Sequence, residues 1–313
     1  LFVTGAGGQL GHELVDAIRA SGHEPIATTH AQLDITDEEA VRIAIGTAKP
    51  DVVIHLAAKS GGAALNTTEP VQMFEDNMNM TMNILEGAVN SGVKKVILTS
   101  STSAYPSKRI SPAHEDQLHD GAPNDSDYPY AYAKRMMEPL ARAYSSQYGI
   151  NVCVAIVNGI VGPKMNFKLG KSVMLAALIR RFYETSLAPE REQDFYVFGD
   201  GSPIREYTYS YDLAKALLWL VEKDNLPRVI NIGSSASYSI REYAEFVLES
   251  LSIDKSKLRF MDPIGTSINT YNQTTDNEFF LAASNFEFTD IKESIAETLD
   301  WLKLNYQEVI RCD

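Results

Sequence analysis

Leu1-Phe2-Val3-Thr4-Gly5-Ala6-Gly7-Gly8-Gln9-Leu10-Gly11 decides the fold. The apolar opening reads as a buried strand, the glycines as a tight turn, and the residues from about Leu10 to Ala20 as an amphipathic helix that stops at Ser21-Gly22. Strand, G-x-x-G-x-x-G and helix together are a variant of the dinucleotide-binding fingerprint. Glycine lets the backbone approach a pyrophosphate, whose charge is met by the amides at the helix start. A glycine turn can also be purely structural, but its place between a strand and an amphipathic helix favours a nucleotide. Gly5, Gly7, Gly8, Gln9, Leu10 and Gly11 are therefore the first candidate cofactor contacts. The strand opens at the first residue, whereas natural strands usually begin a few residues in, so a short leading segment is expected ahead of Leu1.

The same alternation continues outward. Pro25–Thr29 reads as a second strand, ending in Thr28-Thr29-His30. An acid at this place would take the ribose 2′-hydroxyl of NAD. Two hydroxyls and an imidazole suit a 2′-phosphate better, which leans toward NADP(H). No arginine settles it, and NAD(H) stays open. Leu33-Asp34-Ile35-Thr36 forms a short element, with Thr36 or Asp37 capping a helix through Ala48. Asp34 could accept from an adenine amine or simply turn the chain into that helix. Asp51–Ala58 is a central buried strand running into Lys59-Ser60-Gly61-Gly62, at the sheet edge where open α/β folds bind ligands.

A long helix spans 69–91, and the apolar run Lys95-Val96-Ile97-Leu98 leads into Thr99-Ser100-Ser101-Thr102-Ser103. A long loop over 103–129, a helix over 130–147 and a strand over Asn151–Val157 follow. This order predicts an α/β fold: a Rossmann-type doubly wound parallel sheet. Beyond 157 the pattern loosens into a smaller mixed α/β C-terminal lobe, with helices near 172–187, 211–223, 239–252 and 290–305. Strands are expected at Asp194–Phe198, Ile204–Tyr209 and Arg228–Ile232. The polar stretch 262–278 is irregular, and 265–277 reads as a mobile loop. The division expected is a dinucleotide-binding domain of 1–157 plus about 204–233, and a substrate lobe of about 158–203 plus 234–313. Methionines on helices 69–91 and 130–147 suit either core or a helix-on-helix homodimer face.

Tyr130-Ala131-Tyr132-Ala133-Lys134 carries the chemistry. Tyr130 and Lys134 lie four apart on one helix face, about 6 Å along the axis. A neighbouring ammonium favours phenolate, so a lowered Tyr130 pKa is expected. Such a phenol passes a proton to or from a ketone or hydroxyl oxygen. A serine at the end of the preceding strand could bind the same oxygen. Among later cations, Arg181 and Arg205, and less so Arg180, suit phosphate through fixed, charged donors.

Composition sets the outer bounds. The 313 residues are 44% hydrophobic and 22% charged, ordinary for a globular chain with a large core. A net charge of −13 argues against nucleic acid and anionic membranes. Cys153 in an apolar strand and Cys312 near the end give no disulfide framework, which fits a reducing, cytoplasmic setting. No apolar run approaches 18 residues, no signal peptide precedes the first strand, and no set of metal ligands stands out.

These motifs together resemble the extended short-chain dehydrogenase/reductases that act on nucleotide sugars, and among them the GDP-L-fucose synthase family. The resemblance runs through 5–11, His55–Gly62, Ser100–Pro106, Tyr130–Met136, Gly162–Phe167, Leu178–Phe182 and Gly199–Tyr207; residues 1–58 are also similar to dTDP-4-dehydrorhamnose reductase. It implies an NADPH-dependent enzyme that epimerises C3 and C5 of a GDP-linked 4-keto-6-deoxy sugar and then reduces C4. Its reductive trio maps onto Ser101, Tyr130 and Lys134, with Lys134 lowering the phenol pKa and holding the nicotinamide ribose. It further implies dinucleotide contacts from Thr29, His30, Asp34, Ile35, Leu56, Ala57, Ala58, Thr99 and Ser100. Substrate contacts are implied for Ser101, Thr102, Ser103, Asn166, Val173, Arg181, Phe198 (toward the guanine) and Arg205.

The epimerase pair does not carry over. The family's cysteine and histidine are Ser103 and Val173 here. Valine cannot exchange a proton, and a serine hydroxyl does so poorly. Thr274, ahead of Asp276-Asn277, and Asn158-Gly159 also depart from the family pattern. The expectation is a C4 ketoreductase of a GDP-linked 4-keto-6-deoxy hexose or heptose without epimerase activity. The alternative is a bifunctional fucose synthase using His114 or His119 of the long loop. An NAD-retaining epimerase or dehydratase, or a non-enzymatic NADP(H) sensor, stands further off.

Overall fold

The computed structural model describes residues 1–168, 172–187, 194–262 and 272–311, with the side chains of 62–64 left aside. Its strands are β1 (Phe2–Thr4), β2 (Ile26–Thr28), β3 (Val52–His55), β4 (Lys95–Ser101), β5 (Asn151–Val157), β6 (Gly159–Val161), β7 (Phe195–Phe198), β8 (Ile204–Tyr209), β9 (Val229–Ile232), β10 (Ser237–Ser239) and β11 (Leu258–Met261). Six of them form one sheet in the order β2-β1-β3-β4-β5-β9, every pair parallel. The chain leaves β1 to one side for β2, then crosses to the other for β3. Ligands bind at such a reversal, outside the carboxyl ends of the strands. β10, β8 and β6 make a small mixed sheet, and β11 pairs with β7.

Alternation along each strand explains the two buried faces. Val3, Ile54 and Ile97 point one way, onto Leu14 and Ile18 of helix Gln9–Ala20 and Leu213 and Leu217 of helix Ser210–Glu222. Phe2, Val53 and Val96 point the other way, onto Val41, Ile45, Ile84 and Leu85 of helices Glu38–Ala48 and Pro70–Asn90. The second core lies in the C-terminal half, where helices Met174–Ser186, Ile240–Ser250 and Ile291–Arg311 close over Phe182, Phe195, Tyr243 and Leu299.

The structure corrects several expected boundaries. β3 ends at His55 rather than Ala58, because the Gly5 turn crowds the following residues: a Cβ on Gly5, at φ +70°, would sit 2.7 Å from the Ala57 nitrogen. The expected helix over 130–147 is two helices, Tyr128–Arg135 and Met137–Tyr148. Pro139 has no N–H to offer the Arg135 carbonyl, so the ladder breaks at Met136. Leu33–Thr36 forms a turn held by Asp34, and Asp37 is the cap that accepts from the Ala40 amide at 3.0 Å. Helices Gly62–Thr68 and Glu278–Ser284 and strands β10 and β11 were not legible in the periodicity.

Within 204–233, β8 belongs to the small sheet, while helix Ser210–Glu222 and β9 pack with the large one. From the C-terminal stretch, Phe280 reaches back into the large sheet's core. Of the loop expected to be mobile, 265–271 lies outside the described residues, as does Cys312. Thr274 and Thr275 are tied to Ala113 and Glu206. Cys153 is buried in the sheet.

The long loop 103–129 is fastened from both sides. Tyr105 donates its hydroxyl to Asn231 at 2.7 Å. Arg135, buried, donates to the carbonyls of Ala104 and Gly121, each at 2.7 Å. No helix among the described residues is long and apolar enough to cross a membrane.

Lys95 is a buried ammonium that caps helix Ser210–Glu222, donating to the carbonyls of Leu220, Val221 and Lys223 at 3.3, 2.7 and 2.5 Å. Its replacement by methionine, Lys95→Met, removes this donor, with only the Leu220 carbonyl keeping a second one, the Lys223 amide. The expected loss is about 2–3 kcal/mol of stability, read as a lower urea midpoint at unchanged slope.

Candidate active site

The carboxyl ends of β1, β3 and β4 open into a cleft of about 1000 Å³. Every position read from the sequence as a dinucleotide contact lines it, from the Gly5–Gly11 turn through Thr29, His30, Asp34, Ile35 and Leu56–Ala58 to Thr99, Ser100, Tyr130 and Lys134. The turn is shaped for close approach. A Cβ on Gly11 would lie 2.2 Å from the Gly5 carbonyl oxygen, so helix Gln9–Ala20 can start here only with glycine. That helix has Gly8 at its cap, no side-chain cap and no acid in its first turn. Its start is thus open to an anionic group, the condition for holding a pyrophosphate. The residues present fit a nicotinamide dinucleotide.

At the adenosine end the preference is set by small groups. The Thr29 amide and hydroxyl both donate to Gln32 Oε1 at 2.9 Å. Asp34 Oδ1 accepts from the amide and hydroxyl of Thr36 at 3.0 and 2.7 Å, and these bonds hold its carboxyl below the usual range. Its first role is therefore to turn the chain. Lys59 and Ser60, in the loop read from the sequence as lying at the ligand-binding edge, line the cleft, as do Asp76 and Met80, which sequence reading did not name as contacts. Lys59 pairs with Glu69 and Asp76 at 3.0 and 3.1 Å, and Asn77 clamps the Lys59 backbone at both N–H and C=O. The available signal was a buried-face asparagine on helix Pro70–Asn90, at heptad spacing between Met73 and Met80.

At the other end of the cleft stands Tyr130, with Ser101 at the end of β4 the hydroxyl that acts on its phenol. Lys134, buried one turn further on, donates to the Thr99 carbonyl at 2.8 Å. Tyr130 does not have the lowered pKa expected from its lysine. Burial pushes the phenol up to about 12, the Ser101 hydrogen bond opposes this, and the Asp127 charge adds to it. Burial also pushes the Lys134 ammonium down to about 7. The physical reason is that both groups share one dry site, so desolvation outweighs their attraction. The ammonium sits 5.9 Å from the centre of the Tyr130 ring.

Of the substrate candidates, Arg181 stacks on Phe198, its guanidinium 5.0 Å from the ring centre. Its Nε is buried without a hydrogen-bond partner. Phe198 is 47% exposed. A half-buried guanidinium beside an open aromatic face can take a phosphate and a planar base together. Arg205 is buried and donates to the Ile204 carbonyl. Arg180 is occupied internally by Glu184 and the Phe167 carbonyl. Asn166 is exposed, its side chain accepting from the Lys168 amide. Thr102 is buried, and the Ser103 amide donates to Ser101 Oγ at 3.2 Å. Val173 stands exposed just before helix Met174–Ser186. His114 and His119 are engaged by Asp276 and Glu138, at 3.2 and 3.1 Å.

His55 is sealed beneath this site, its Nδ1 2.8 Å from the Thr4 hydroxyl. Burial, then the Lys134 charge, pushes it down to about 3. The unfolded chain takes up this proton near pH 6.5, and the folded chain does not until about 3. Stability from neutral His55 is thus complete above pH 6.5 and lost as pH falls toward 3. Urea unfolding at pH 7, 5 and 4 is expected to show a steeper acid loss for the native chain than for His55→Asn.

Comparison with known proteins gives the site its setting. The family model described as "NAD dependent epimerase/dehydratase family" matches residues 1–233. The chain is 30% identical to the GDP-L-fucose synthase of Dictyostelium discoideum, over 98% of this chain and 96% of that protein. It is 33% identical to the GDP-L-fucose synthase of Sinorhizobium fredii, over 79% and 78%. A solved GDP-L-fucose synthetase from Naegleria fowleri, bound to NADP, superposes with a TM-score of 0.88 at 29% identity, covering 98% of this chain and 93% of that one. With its dinucleotide cleft and parallel sheet, the chain belongs to the NAD dependent epimerase/dehydratase family, as an extended short-chain dehydrogenase/reductase and a nicotinamide-dependent oxidoreductase.

Proposed function

We propose that this protein reduces the C4 ketone of a GDP-linked 4-keto-6-deoxy sugar, a hexose or heptose, with NADPH and without epimerising it. The observation that carries this reading is the pair Tyr130 and buried Lys134, one helical turn apart at the end of the cleft, with Lys134 anchored on the Thr99 carbonyl of the strand that ends in Ser101. A bound nicotinamide dinucleotide supplies hydride to the carbonyl carbon. Ser101 holds the ketone oxygen, and Tyr130 gives that oxygen its phenolic proton as the alkoxide forms. Lys134 holds the nicotinamide ribose and offsets the charge left on the phenol. Thr28, Thr29 and His30, where an acid would end β2 in an NAD site, support NADPH over NADH, as does the NADP held by the Naegleria relative. Arg181 against Phe198 supports a nucleoside diphosphate, and the relatives' names support GDP.

Ser103 and Val173 support reduction alone, since neither side chain can move a carbon-bound proton efficiently. The histidines of the long loop are already engaged by carboxylates. The reading assigns cofactor binding to 1–157 with about 204–233, and the sugar to the remainder. It puts the enzyme in the cytoplasm, as a homodimer through helices Pro70–Asn90 and Met137–Tyr148, whose Val71, Phe74 and Tyr148 are exposed.

Tyr130→Phe is expected to slow NADPH oxidation with GDP-4-keto-6-deoxy-mannose by at least about 10²-fold while NADPH still binds; undiminished turnover would refute the reading. In D₂O, the product is expected to carry no deuterium at C3 or C5 by mass spectrometry. Deuterium at either carbon would identify a bifunctional epimerase and reductase instead.

A further inference from the structure

Helix Tyr128–Arg135 has only eight residues, and its two ends are held differently. The second turn is fastened to β4 and the turn after it. Lys134 donates to the Thr99 carbonyl at 2.8 Å, its own carbonyl accepts the Ser100 hydroxyl at 3.0 Å, and Arg135 donates to the Ala104 carbonyl at 2.7 Å. The first turn carries Tyr130. Its amides have no partner within the helix, and Pro129 has no N–H to satisfy. Asp127 stands at the cap position, where an aspartate ordinarily accepts from the second or third amide. It makes no such bond. The Tyr130 amide donates instead to Asn66 Oδ1, at 3.3 Å, from a residue sixty-four positions earlier in the chain.

Asn66 is buried and belongs to helix Gly62–Thr68. That short helix is itself fixed at both ends. Ahead of it, Asn77 of helix Pro70–Asn90 holds the Lys59 N–H and C=O at 3.1 and 3.0 Å. Behind it, the Glu69 amide donates to the Leu65 carbonyl at 2.9 Å, and Pro70 opens the long helix. Lys59 and Ser60 line the dinucleotide cleft. One segment, 59–66, therefore borders the cofactor site and reaches the backbone of the tyrosine. An uncapped helix start frays, and a helix this short has little stability of its own. Fraying here would move Tyr130 while leaving Lys134 on its carbonyl. A proton donor must stay within hydrogen-bond reach of the ketone oxygen, and a shift of about 1 Å is costly to the rate.

We propose that Asn66 is a positioning residue of the reductive site: it caps helix Tyr128–Arg135 from a second helix and so fixes the backbone that carries the Tyr130 phenol. This rests on the reductase reading for its purpose, but the cap itself can be tested without a sugar. Full-length protein is isotopically labelled at its tyrosine amides, and amide exchange is followed by NMR, with the Tyr130 signal assigned by its loss in Tyr130→Phe. The Tyr130 amide is expected to be protected while that of Tyr128, in the same turn, exchanges freely. Equal rates in the native protein would overturn the proposal. Asn66→Leu, similar in size but without an acceptor, is expected to speed Tyr130 exchange about fivefold. Asn66→Asp, which keeps an acceptor oxygen, restores most of the protection. An unmoved rate in Asn66→Leu would overturn the proposal whatever the sugar.

With NADPH and GDP-4-keto-6-deoxy-mannose, Asn66→Leu is expected to lower kcat by about tenfold or more and to leave the KM for NADPH within about twofold, since Lys134 keeps its anchor. An unchanged kcat, or a KM for NADPH that rises as far as kcat falls, would count against a positioning role. Altered exchange at Tyr130 with no turnover of this sugar by the native protein would retain the cap and reject only the proposed substrate.

Discussion

Lys134 is buried with its ammonium on a backbone carbonyl, that of Thr99, rather than on a carboxylate. A charge held this way is costly to desolvate, and the surrounding elements are arranged about it. β4 must run to Ser101 to bring the Thr99 carbonyl beneath the helix. The Ser100 hydroxyl returns the contact, donating to the Lys134 carbonyl at 3.0 Å. The Thr99 hydroxyl in turn binds the His55 carbonyl at 2.8 Å, joining the end of β4 to the end of β3. One residue, Thr99, therefore locks two central strands and the lysine into a single unit.

The same helix fastens the long loop. Arg135 follows Lys134 and, about 100° further round the helix, donates to the carbonyls of Ala104 and Gly121. Tyr105 and Asn231 close the loop against β9. Placement of the phenol, the lysine and the loop over them thus depends on one short helix, interrupted at Met136. Where the loop meets the C-terminal half, the buried Glu206 carboxyl binds both the amide and hydroxyl of Thr275. Burial pushes that carboxyl up to about 7. The stretch 272–277 is consequently coupled to the sheet rather than loose.

The site was legible in unequal measure. The glycine turn and the strand ends follow from local sequence, because a pyrophosphate cradle is built from consecutive residues and a helix start. Asp76 and Asn77, which hold Lys59, were harder, because their role arises where a helix from one part of the chain crosses a loop from another. Asp127 shows a similar limit. By spacing alone it is a cap for helix Tyr128–Arg135, yet its side chain accepts from no amide of that helix. The Tyr130 pKa was misjudged because helical spacing gives the distance to a neighbouring charge but says nothing of how dry the site is.

The sequence by itself determined the parallel sheet, the dinucleotide turn and the pairing of Tyr130 with Lys134. Each is written in short-range periodicity: alternate residues on a strand, glycines at fixed intervals, and side chains four apart on a helix. Tertiary structure decided how hard that tyrosine holds its proton, which carbonyl receives the lysine, and how Arg181 meets Phe198. These depend on desolvation and on contacts between distant segments, which no local pattern encodes.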